Sequence, residues 1–322
     1  MDSGRAGGSV GVGGSGPLVV ACLAPCDLRP AVDGLTGEVW VDPRRADLSA
    51  ADAAALEHAL RAAEVWGPGR VLAVAAGGAS VEPALRTAVA LGADAIRVKW
   101  GDEDFGGAGL RREAPEAVAG DPSALAAALA GAIRAAAGAS GSPALVVCGD
   151  RSAERGVGAI PALLAHYLGA AQALGLVALR ADEGEVGTVI AERRLDGGWR
   201  ERLRVRGPAV CSVEAAGVRL RRASLPAVLA AGEAVIPVVG GVAAGGRGRR
   251  PAVHMGTPRP YRPRTRLVAA PAGGTHERLL ALTGALVAHD PPRIVGPADA
   301  ATAADELLDY LRRHGYGPVE AP

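Results

Sequence analysis

A short loop between an apolar run and a helical run carries the residues best suited to hold a phosphate group. The apolar run ends at Cys148, and the loop from there to Gly158 contains three glycines together with Arg151 and Arg155. Glycine lets backbone N–H groups approach an anion closely, and the following helix adds about half a positive charge at its N-terminus. Arginine side chains can add charge-assisted hydrogen bonds. The pattern predicts a phosphate-binding site here, with an ordinary strand-to-helix loop as the alternative.

The other chemistry-bearing residues form no catalytic or metal-binding pattern. The four cysteines contain no C-x-x-C pair, and no histidine lies at zinc-ligand spacing from any of them. Lys99 is the only lysine and follows Val98 rather than glycine, which excludes a Walker A loop. No histidine lies near a candidate nucleophile. We therefore predict no catalytic residue and no metal site.

Charge and composition exclude several classes of protein. The 35 basic and 34 acidic residues leave a formal charge of +1, too little for the phosphate-neutralising surface of a nucleic-acid binder. No secretory signal is recognisable, and the uncharged stretch 162–179 contains glycines and polar residues typical of a helix followed by a strand. We expect a cytoplasmic chain that neither inserts into membranes nor binds nucleic acid.

Short β-branched runs alternate with Ala/Leu-rich runs from residue 17 onward, which predicts a doubly wound, mostly parallel α/β sheet with crossover helices. Ser49 and Ser80 are predicted to cap the first two helices. The strands are predicted at 18–23, 71–76, 95–98, 144–148 and 209–213, and the helices at 49–65, 80–92, 121–137, 158–169 and 225–231. The segment Asp196-Gly197-Gly198 predicts an antiparallel hairpin between strands at 188–195 and 199–205.

Composition also suggests where the domains begin and end. Residues 1–16 are rich in glycine and serine and are predicted to be a disordered tail, and residues 17–239 form the α/β domain. A Gly/Arg/Pro-rich linker is predicted at 240–264. The remaining residues, 265–322, are predicted to be a C-terminal arm with helices near 276–288 and 299–314.

Several segments, in order, resemble the β subunit of electron transfer flavoproteins. Residues 48–61 and 84–94 resemble two helical motifs of that family. The run 148–159 fits the pattern C-G-x-x-A-x-D-x-x-x-G-Q without a gap, and 192–198 resembles E-R-E-L-D-G-G. Residues 224–226 match the S-L-P that ends a longer segment of the family, D-L-x-x-N-E-P-R-Y-x-S-L-P. The last helix of the chain resembles the last helix of the family. The resemblance covers roughly residues 17–235 and the last twenty.

This resemblance implies a sheet of the adenine-nucleotide-binding type and a heterodimer with an α subunit. The α subunit would carry most of the FAD site, and the complex would pass electrons from a dehydrogenase to an acceptor. The β subunit of this family usually buries AMP. The alanine-rich, arginine-rich composition and the divergence from the standard motifs suggest the subgroup associated with mycofactocin.

Site residues are carried over position by position from the same resemblance. The residues it implies at the nucleotide and FAD are Ala21, Ser49, Ala50, Ala51, Asp52, Ala76, Cys148, Gly149, Arg151, Ser152, Ala153, Glu154, Arg155, Gly156, Val157, Gly158 and Ala159. Val157 and Ala159 replace the family's threonine and glutamine. Ala51 stands where the family has an aromatic residue near its flavin.

A second set of carried-over residues belongs to the family's recognition loop, whose leucine enters a pocket of the partner dehydrogenase. These residues are Arg219, Arg221, Arg222, Leu225 and Pro226. An apolar anchor beside arginines suits a transient interface. The alternative is that Leu225 simply begins a helix at Pro226. Arg219 replaces a glutamate of the family and Arg222 an aromatic residue, so we expect a different partner.

Two other classes of function share the same fold. A stand-alone adenine-nucleotide-binding module would use the loop after Cys148 without any role in electron transfer. An adenylating enzyme is disfavoured, because the sequence lacks a catalytic lysine, paired carboxylates and a phosphate-gripping serine–glycine loop.

Overall fold

The computed structural model describes residues 16–36, 38–67, 69–100, 111–112, 122–138, 142–154, 156–240, 273–283, 296 and 299–314. The predicted tail and linker lie outside these residues, apart from Gly16 and Gly240. By its internal contacts the chain divides into two units, Met1–Tyr261 and Arg262–Pro322.

The described residues form fourteen strands and seven α-helices. The strands are β1 Leu18–Leu23, β2 Cys26–Asp27, β3 Ala31–Val32, β4 Val39–Val41, β5 Ala46–Asp47, β6 Arg70–Ala76, β7 Asp94–Val98, β8 Arg111–Arg112, β9 Leu145–Gly149, β10 Ala171–Ala181, β11 Thr188–Arg194, β12 Arg200–Arg206, β13 Ala209–Val213 and β14 Val238–Val239. The helices are α1 Ala50–Trp66, α2 Glu82–Ala90, α3 Pro122–Ala137, α4 Ala159–Leu168, α5 Leu225–Glu233, α6 Thr275–Thr283 and α7 Ala300–Arg313.

Nine of these strands form one sheet in the order β12-β11-β10-β13-β9-β1-β6-β7-β14. All neighbours are parallel except β10–β11 and β11–β12, which are antiparallel. This confirms the predicted doubly wound α/β fold with an added hairpin. The hairpin turns at Asp196–Gly198, where Gly197 and Gly198 take positive φ angles that favour glycine.

Helices cover both faces of the sheet because the central strands are apolar on both sides. Along β1, Val19 and Leu23 pack in the cluster that contains α1 and α2, whereas Leu18 and Cys22 pack in the cluster that contains α3 and α4. This alternation follows from the two-residue repeat of a strand. Five of the eleven buried residues of α1 are alanine, and their small side chains let the helix lie close to the sheet.

The sequence predicts the start of α1 correctly but places the start of α2 too early. Ser49 caps α1 as predicted, since its hydroxyl oxygen accepts from the N–H of Asp52 at 3.1 Å. Ser80 does not cap α2 and lies within a 3-10 turn over Ala79–Val81. The helix begins only at Glu82: the preceding Val81 is buried in the cluster that also contains α1 and α2, and Pro83 occupies the first turn.

The unit Arg262–Pro322 contains α6 and α7 among its described residues. Asp299 caps α7 by accepting from the N–H of Thr302 at 2.8 Å. Both helices expose large apolar side chains, at Leu279 and Leu282 of α6 and at Leu307, Leu308 and Tyr310 of α7. In the part of the chain that the structure describes, no helix is both long enough and apolar enough to cross a membrane.

Candidate functional site

A crevice opens where the chain changes direction across the sheet. From β1 the chain runs through α1 to β6 on one side, whereas β9 lies on the other side of β1 and leads into α4. Since α1 and α4 cover opposite faces, the loops after β1 and β9 diverge and leave a gap at the carboxyl ends of the strands. Such a topological switch point is where open α/β sheets bind their ligands.

The crevice contains about 550 Å³ of empty space, part of it open to solvent. Seven of the residues carried over by resemblance line it: Asp52, Ala76, Cys148, Gly149, Arg151, Ser152 and Val157. The fold therefore brings together residues from β6, β9, α1 and the loop after β9.

Seven further lining residues escape the sequence analysis. Three follow one another at the end of β1, two lie on α3 and two begin α4: Cys22, Leu23, Ala24, Leu125, Leu129, Ile160 and Pro161. Most are apolar, and a motif search keyed to polar or glycine-rich patterns gives them no weight. The only sequence pattern that marks any of them is the apolar stripe of α3, which predicts that Leu125 and Leu129 are buried but not that they face a crevice.

Other carried-over residues lie around the crevice without lining it. Ala21 is fully buried on the α1 side of the sheet, and the next residue, Cys22, faces the crevice instead. Ser49 lies behind Asp52, while Ala50 and Ala51 belong to the first turn of α1. Exposed positions on the loop and at the start of α4 are held by Ala153, Glu154, Gly156, Gly158 and Ala159. Arg155 lies outside the described residues.

Two glycines of the loop are required by close approach within the chain itself. A Cβ on Gly149 would lie 3.1 Å from Oδ1 of Asp52 and 3.2 Å from Cβ of Ala51. A Cβ on Gly158 would lie 2.6 Å from the carbonyl oxygen of Asp150. The absence of side chains here lets the N-terminus of α1 pack against the end of β9 and lets the loop fold tightly before α4.

The N–H groups of the loop are only partly available to a ligand. Asp150 donates to the carbonyl of Val213, Ser152 donates to that of Val157, and the N–H of Gly156 donates to Ser152. The first N–H groups of a helix lack partners within that helix. An anion in the crevice would therefore rely on the N-terminus of α4 and on Arg151, whose guanidinium lies at the mouth, 3.0 Å from the carboxylate of Asp150.

Asp52 places a buried carboxyl group in the wall of the crevice. Its side chain is almost inaccessible, and Oδ2 accepts from the hydroxyl of Ser49 at 2.7 Å while Oδ1 accepts from the N–H of Ala24 at 3.4 Å. Burial raises the pKa of Asp52 above its ordinary value, and the nearby charge of Asp150 acts in the same direction. The carboxyl can accept a hydrogen bond from a ligand hydroxyl or amine at this wall.

The recognition residues implied by the resemblance do not line the crevice; the segment before α5 is held against α1 by Arg221. Arg221 forms ion pairs with Glu57, at 3.0 Å, and with Glu64. Its backbone N–H also donates to Glu57 at 3.1 Å. Burial opposes the ionised form of Glu57, but the hydrogen bonds from Arg221 and Arg61 outweigh it and lower the pKa. Arg221 therefore anchors the segment, whereas Arg219 and Arg222 are exposed.

Immediately after this segment, α5 presents an apolar surface to solvent. Leu225 is 70% exposed, and Val228 and Leu229 continue the same stripe at helical spacing. Pro226 lies in the first turn, and Ser224 caps the helix. At the other end, the guanidinium of Arg86 donates to three carbonyl oxygens at 2.6–2.9 Å, those of Ala231, Gly232 and Ala234. We call Leu225, Val228 and Leu229 the α5 ridge.

Comparison with known proteins gives one family. The model of the electron transfer flavoprotein domain matches residues 39–240, which is more than half of the chain. The matched range includes α1, the loop after β9, the hairpin and the α5 ridge. A comparison with curated proteins finds no match.

Proposed function

The chain belongs to the electron transfer flavoprotein domain family, and on that premise we propose that it is the β-type subunit of a heterodimeric electron transfer flavoprotein. Proteins of this family carry electrons rather than turn over substrates, and they generally bind flavin. In this proposal the chain completes the FAD site of an α subunit. The complex passes electrons between a dehydrogenase and a downstream acceptor.

The observation that carries the proposal is the match of the electron transfer flavoprotein domain to residues 39–240, and the crevice between β1 and β9 supports it. Its walls fit an adenine nucleotide, because Leu125, Leu129 and Val157 offer an apolar slot for the base. Asp52 can accept from a ribose hydroxyl, and the N-terminus of α4 with Arg151 suits the phosphate. AMP bound here would stabilise the fold and would take no part in electron transfer.

The FAD is proposed to lie between this chain and its α subunit, near the N-terminus of α1. Flavin supplies the one- and two-electron chemistry when bound. The contribution of this chain is positional: Ser49 and Asp52 hold the first turn of α1 in place through their mutual hydrogen bonds. Ala51 lies half-buried in that turn, so the chain offers a methyl group there rather than an aromatic ring.

Two apolar surfaces are proposed to contact partners. We propose that the α5 ridge binds in a pocket of the dehydrogenase. Two observations favour this: Leu225 is exposed, and arginines hold the chain at both ends of α5. The apolar side chains of α6 and α7 would contact the α subunit. The mycofactocin-associated subgroup is our proposal for the lineage, and the genes beside this one would test it.

The test is to express the chain together with the α-type subunit encoded beside it and to purify the pair. We expect a yellow complex with one chain of each type, and a colourless or unassociated chain would overturn the proposal. As a control, Val186→Ala changes an exposed residue between β10 and β11 and should leave the complex intact. Photoreduction of the complex, followed by mixing with an electron acceptor, then measures transfer.

A second function is a stand-alone adenine-nucleotide-binding module. It is favoured by one observation: apolar side chains of α3, the carboxyl group of Asp52 and the guanidinium of Arg151 line the same crevice, as a base, a ribose and a phosphate would require. Calorimetry of the isolated chain with AMP and ATP, together with the co-expression experiment, separates the two functions. Nucleotide binding without any flavin complex would support the module, whereas a flavin complex supports the electron carrier.

A further inference from the structure

Two thiols lie directly opposite each other where β1 and β9 pair. Cys22 and Cys148 are register partners in this parallel pair, and both lie in the cluster covered by α3 and α4. Both also line the crevice, where they are 7% and 4% exposed. Neighbouring strands lie about 4.8 Å apart, which falls within the Cα separations that disulfides span. The fold therefore sets the Cα atoms of the two cysteines at a separation that a disulfide can span.

The other two cysteines lack such a partner in register. Cys211 pairs with Val147 on β9 and faces the opposite cluster, which contains α1. Cys26 lies on β2 opposite Asp47. All four cysteines are free thiols in the structure. Cys211 is at least as buried as Cys148 but faces no cysteine in register. It therefore shows how a buried cysteine of this fold reacts when it has no second thiol opposite it.

The pairing also affects the thiol of Cys148. A hydrogen bond with Cys22, followed by burial, raises the pKa of the Cys148 thiol well above its ordinary value. Cys22 is also the more exposed of the two, at 7% against 4%. Both observations favour Cys22 as the sulfur that attacks an oxidant first and Cys148 as the sulfur that then closes the disulfide.

We propose that Cys22 and Cys148 are a redox-sensitive dithiol that closes to a disulfide when a low-molecular-weight disulfide enters the crevice. Cys22 gives up its proton and attacks one sulfur of the oxidant, whose S–S bond breaks, and the departing sulfur takes up a proton and leaves as a small thiol. Cys148 then gives up its proton and attacks the Cys22 sulfur of the mixed disulfide, which releases the second small thiol. The two protein thiols are oxidised, and the small disulfide is reduced to two thiols.

The dithiol and a crevice ligand compete for the same space. A molecule seated in the crevice covers Cys22 and Cys148, because both belong to its lining. This second part rests on the proposed nucleotide site, whereas formation of the disulfide does not. Oxidation would thus be fast in the empty chain and slow in the occupied one.

The experiment treats the purified full-length chain with 2-hydroxyethyl disulfide, quenches with acid and maps the disulfides by peptide mass spectrometry. We expect a linked peptide pair that joins Cys22 to Cys148. Cys148→Ser should stop at the mixed disulfide on Cys22, and Cys22→Ser should leave Cys148 unmodified. Cys211→Ser is the matched control and should close the bond at the wild-type rate.

Two results would overturn the dithiol. One is separate adducts on Cys22 and Cys148 with no bond between them. The other is that Cys22 and Cys148 stay reduced in the folded chain while the same reagent modifies all four cysteines of the unfolded chain. Repeating the reaction with excess AMP should slow closure about tenfold or more. If the disulfide forms at the same rate with AMP, the dithiol stands and the nucleotide assignment of the crevice fails.

Discussion

At the residue scale, Asp52 combines burial with a position in the wall of the crevice. Its hydrogen bonds come from Ser49 and from the backbone of Ala24, and no cation of the described residues forms an ion pair with it. Hydrogen bonding favours the charged form and burial disfavours it, and burial is the larger effect on the pKa. The carboxyl is therefore a site where protonation and stability are linked.

We predict that Asp52→Asn changes how stability depends on pH. Because the folded chain holds this proton above the ordinary pKa of 3.8, Asp52 loses stabilising effect as the pH rises through its raised pKa. Asparagine does not titrate, so the variant should gain stability relative to the wild type as the pH rises from the ordinary pKa of 3.8 through the raised pKa of the folded chain. Urea unfolding across this range measures the difference.

A matched control for this prediction is Asp305→Asn, which replaces an exposed aspartate on α7. It should leave the pH profile of stability unchanged. Parallel profiles for the wild type and Asp52→Asn would contradict the raised pKa.

Glycine at position 149 is predicted to be required for stability. In Gly149→Ala the added methyl would press on Asp52 and Ala51, and such overpacking costs about 1–3 kcal/mol in free energy of unfolding. Gly131→Ala is the opposite case, because that glycine lies inside α3 with no atom within 4 Å of the added Cβ. It should stabilise the chain by about 0.5–1 kcal/mol. Denaturant unfolding of both variants checks the two signs.

At the scale of elements, the segment before α5 depends on one buried carboxylate. Glu57 is buried on α1, and Arg221 and Arg61 both pair with it. Arg86 holds the far end of α5 through carbonyl groups, which also places a cation at a helix C-terminus. Both ends of α5 are thus fixed by arginines, and its apolar stripe is left free to face solvent.

We predict that Arg221→Gln lowers the free energy of unfolding at neutral pH by about 1–3 kcal/mol, because Glu57 loses its main charged partner while it stays buried. The depressed pKa of Glu57 stabilises the wild type above its ordinary value of 4.5, and that stability is lost as the pH falls through the folded pKa. The variant should therefore lose less stability on acidification. Unfolding at neutral and acidic pH measures both effects.

Arg222→Gln is the control for this cation, because Arg222 is the exposed arginine next in sequence. It should change the free energy of unfolding by less than about 0.5 kcal/mol. Equal effects of the two substitutions would show that the Glu57 contact contributes nothing specific.

Leu225→Ala is predicted to separate binding from folding. The side chain is 70% exposed, so its loss should change the free energy of unfolding by less than about 0.5 kcal/mol. If the α5 ridge is the anchor for the dehydrogenase, the second-order rate of electron transfer should fall about tenfold or more. Val186→Ala, which shortens another exposed apolar side chain, should leave that rate unchanged. An unchanged rate for Leu225→Ala would exclude the anchor.

At the scale of the whole molecule, the core and the crevice belong to one unit. Both hydrophobic clusters and every residue of the crevice lie within Met1–Tyr261. Within the described part of Arg262–Pro322, neither α6 nor α7 contains a buried residue. The second unit is therefore expected to contribute to association rather than to the stability of the sheet.

We predict that a chain ending at Tyr261 keeps its fold and loses its complex. Its unfolding midpoint should match that of the full chain, because both clusters are retained. The yellow complex with the α-type subunit should not form. In the full-length chain, Leu307→Asp should weaken the complex as well, whereas the neighbouring Asp305→Asn should not. Size-exclusion chromatography with absorbance detection of flavin distinguishes these outcomes.

Local sequence determined much of the fold. Contiguous apolar residues predict β1 at Leu18–Leu23, a serine followed by an alanine-rich run predicts the start of α1, and the turn Asp196–Gly198 predicts the hairpin. These features depend on the conformational preferences of residues close in the chain, and the structure confirms them. The glycines and arginines of the loop after Cys148 also mark it in the sequence as a candidate binding loop, and part of this loop lines the crevice.

Tertiary structure alone decided the contacts between residues far apart in sequence. The alternation of β1 turned Ala21 toward α1 and Cys22 toward the crevice, and the order of the strands placed Cys22 opposite Cys148. The pairing of Arg221 with Glu57 joins residues 164 positions apart. No local pattern encodes such register and proximity, because they follow from the order in which strands pair and the faces on which helices pack.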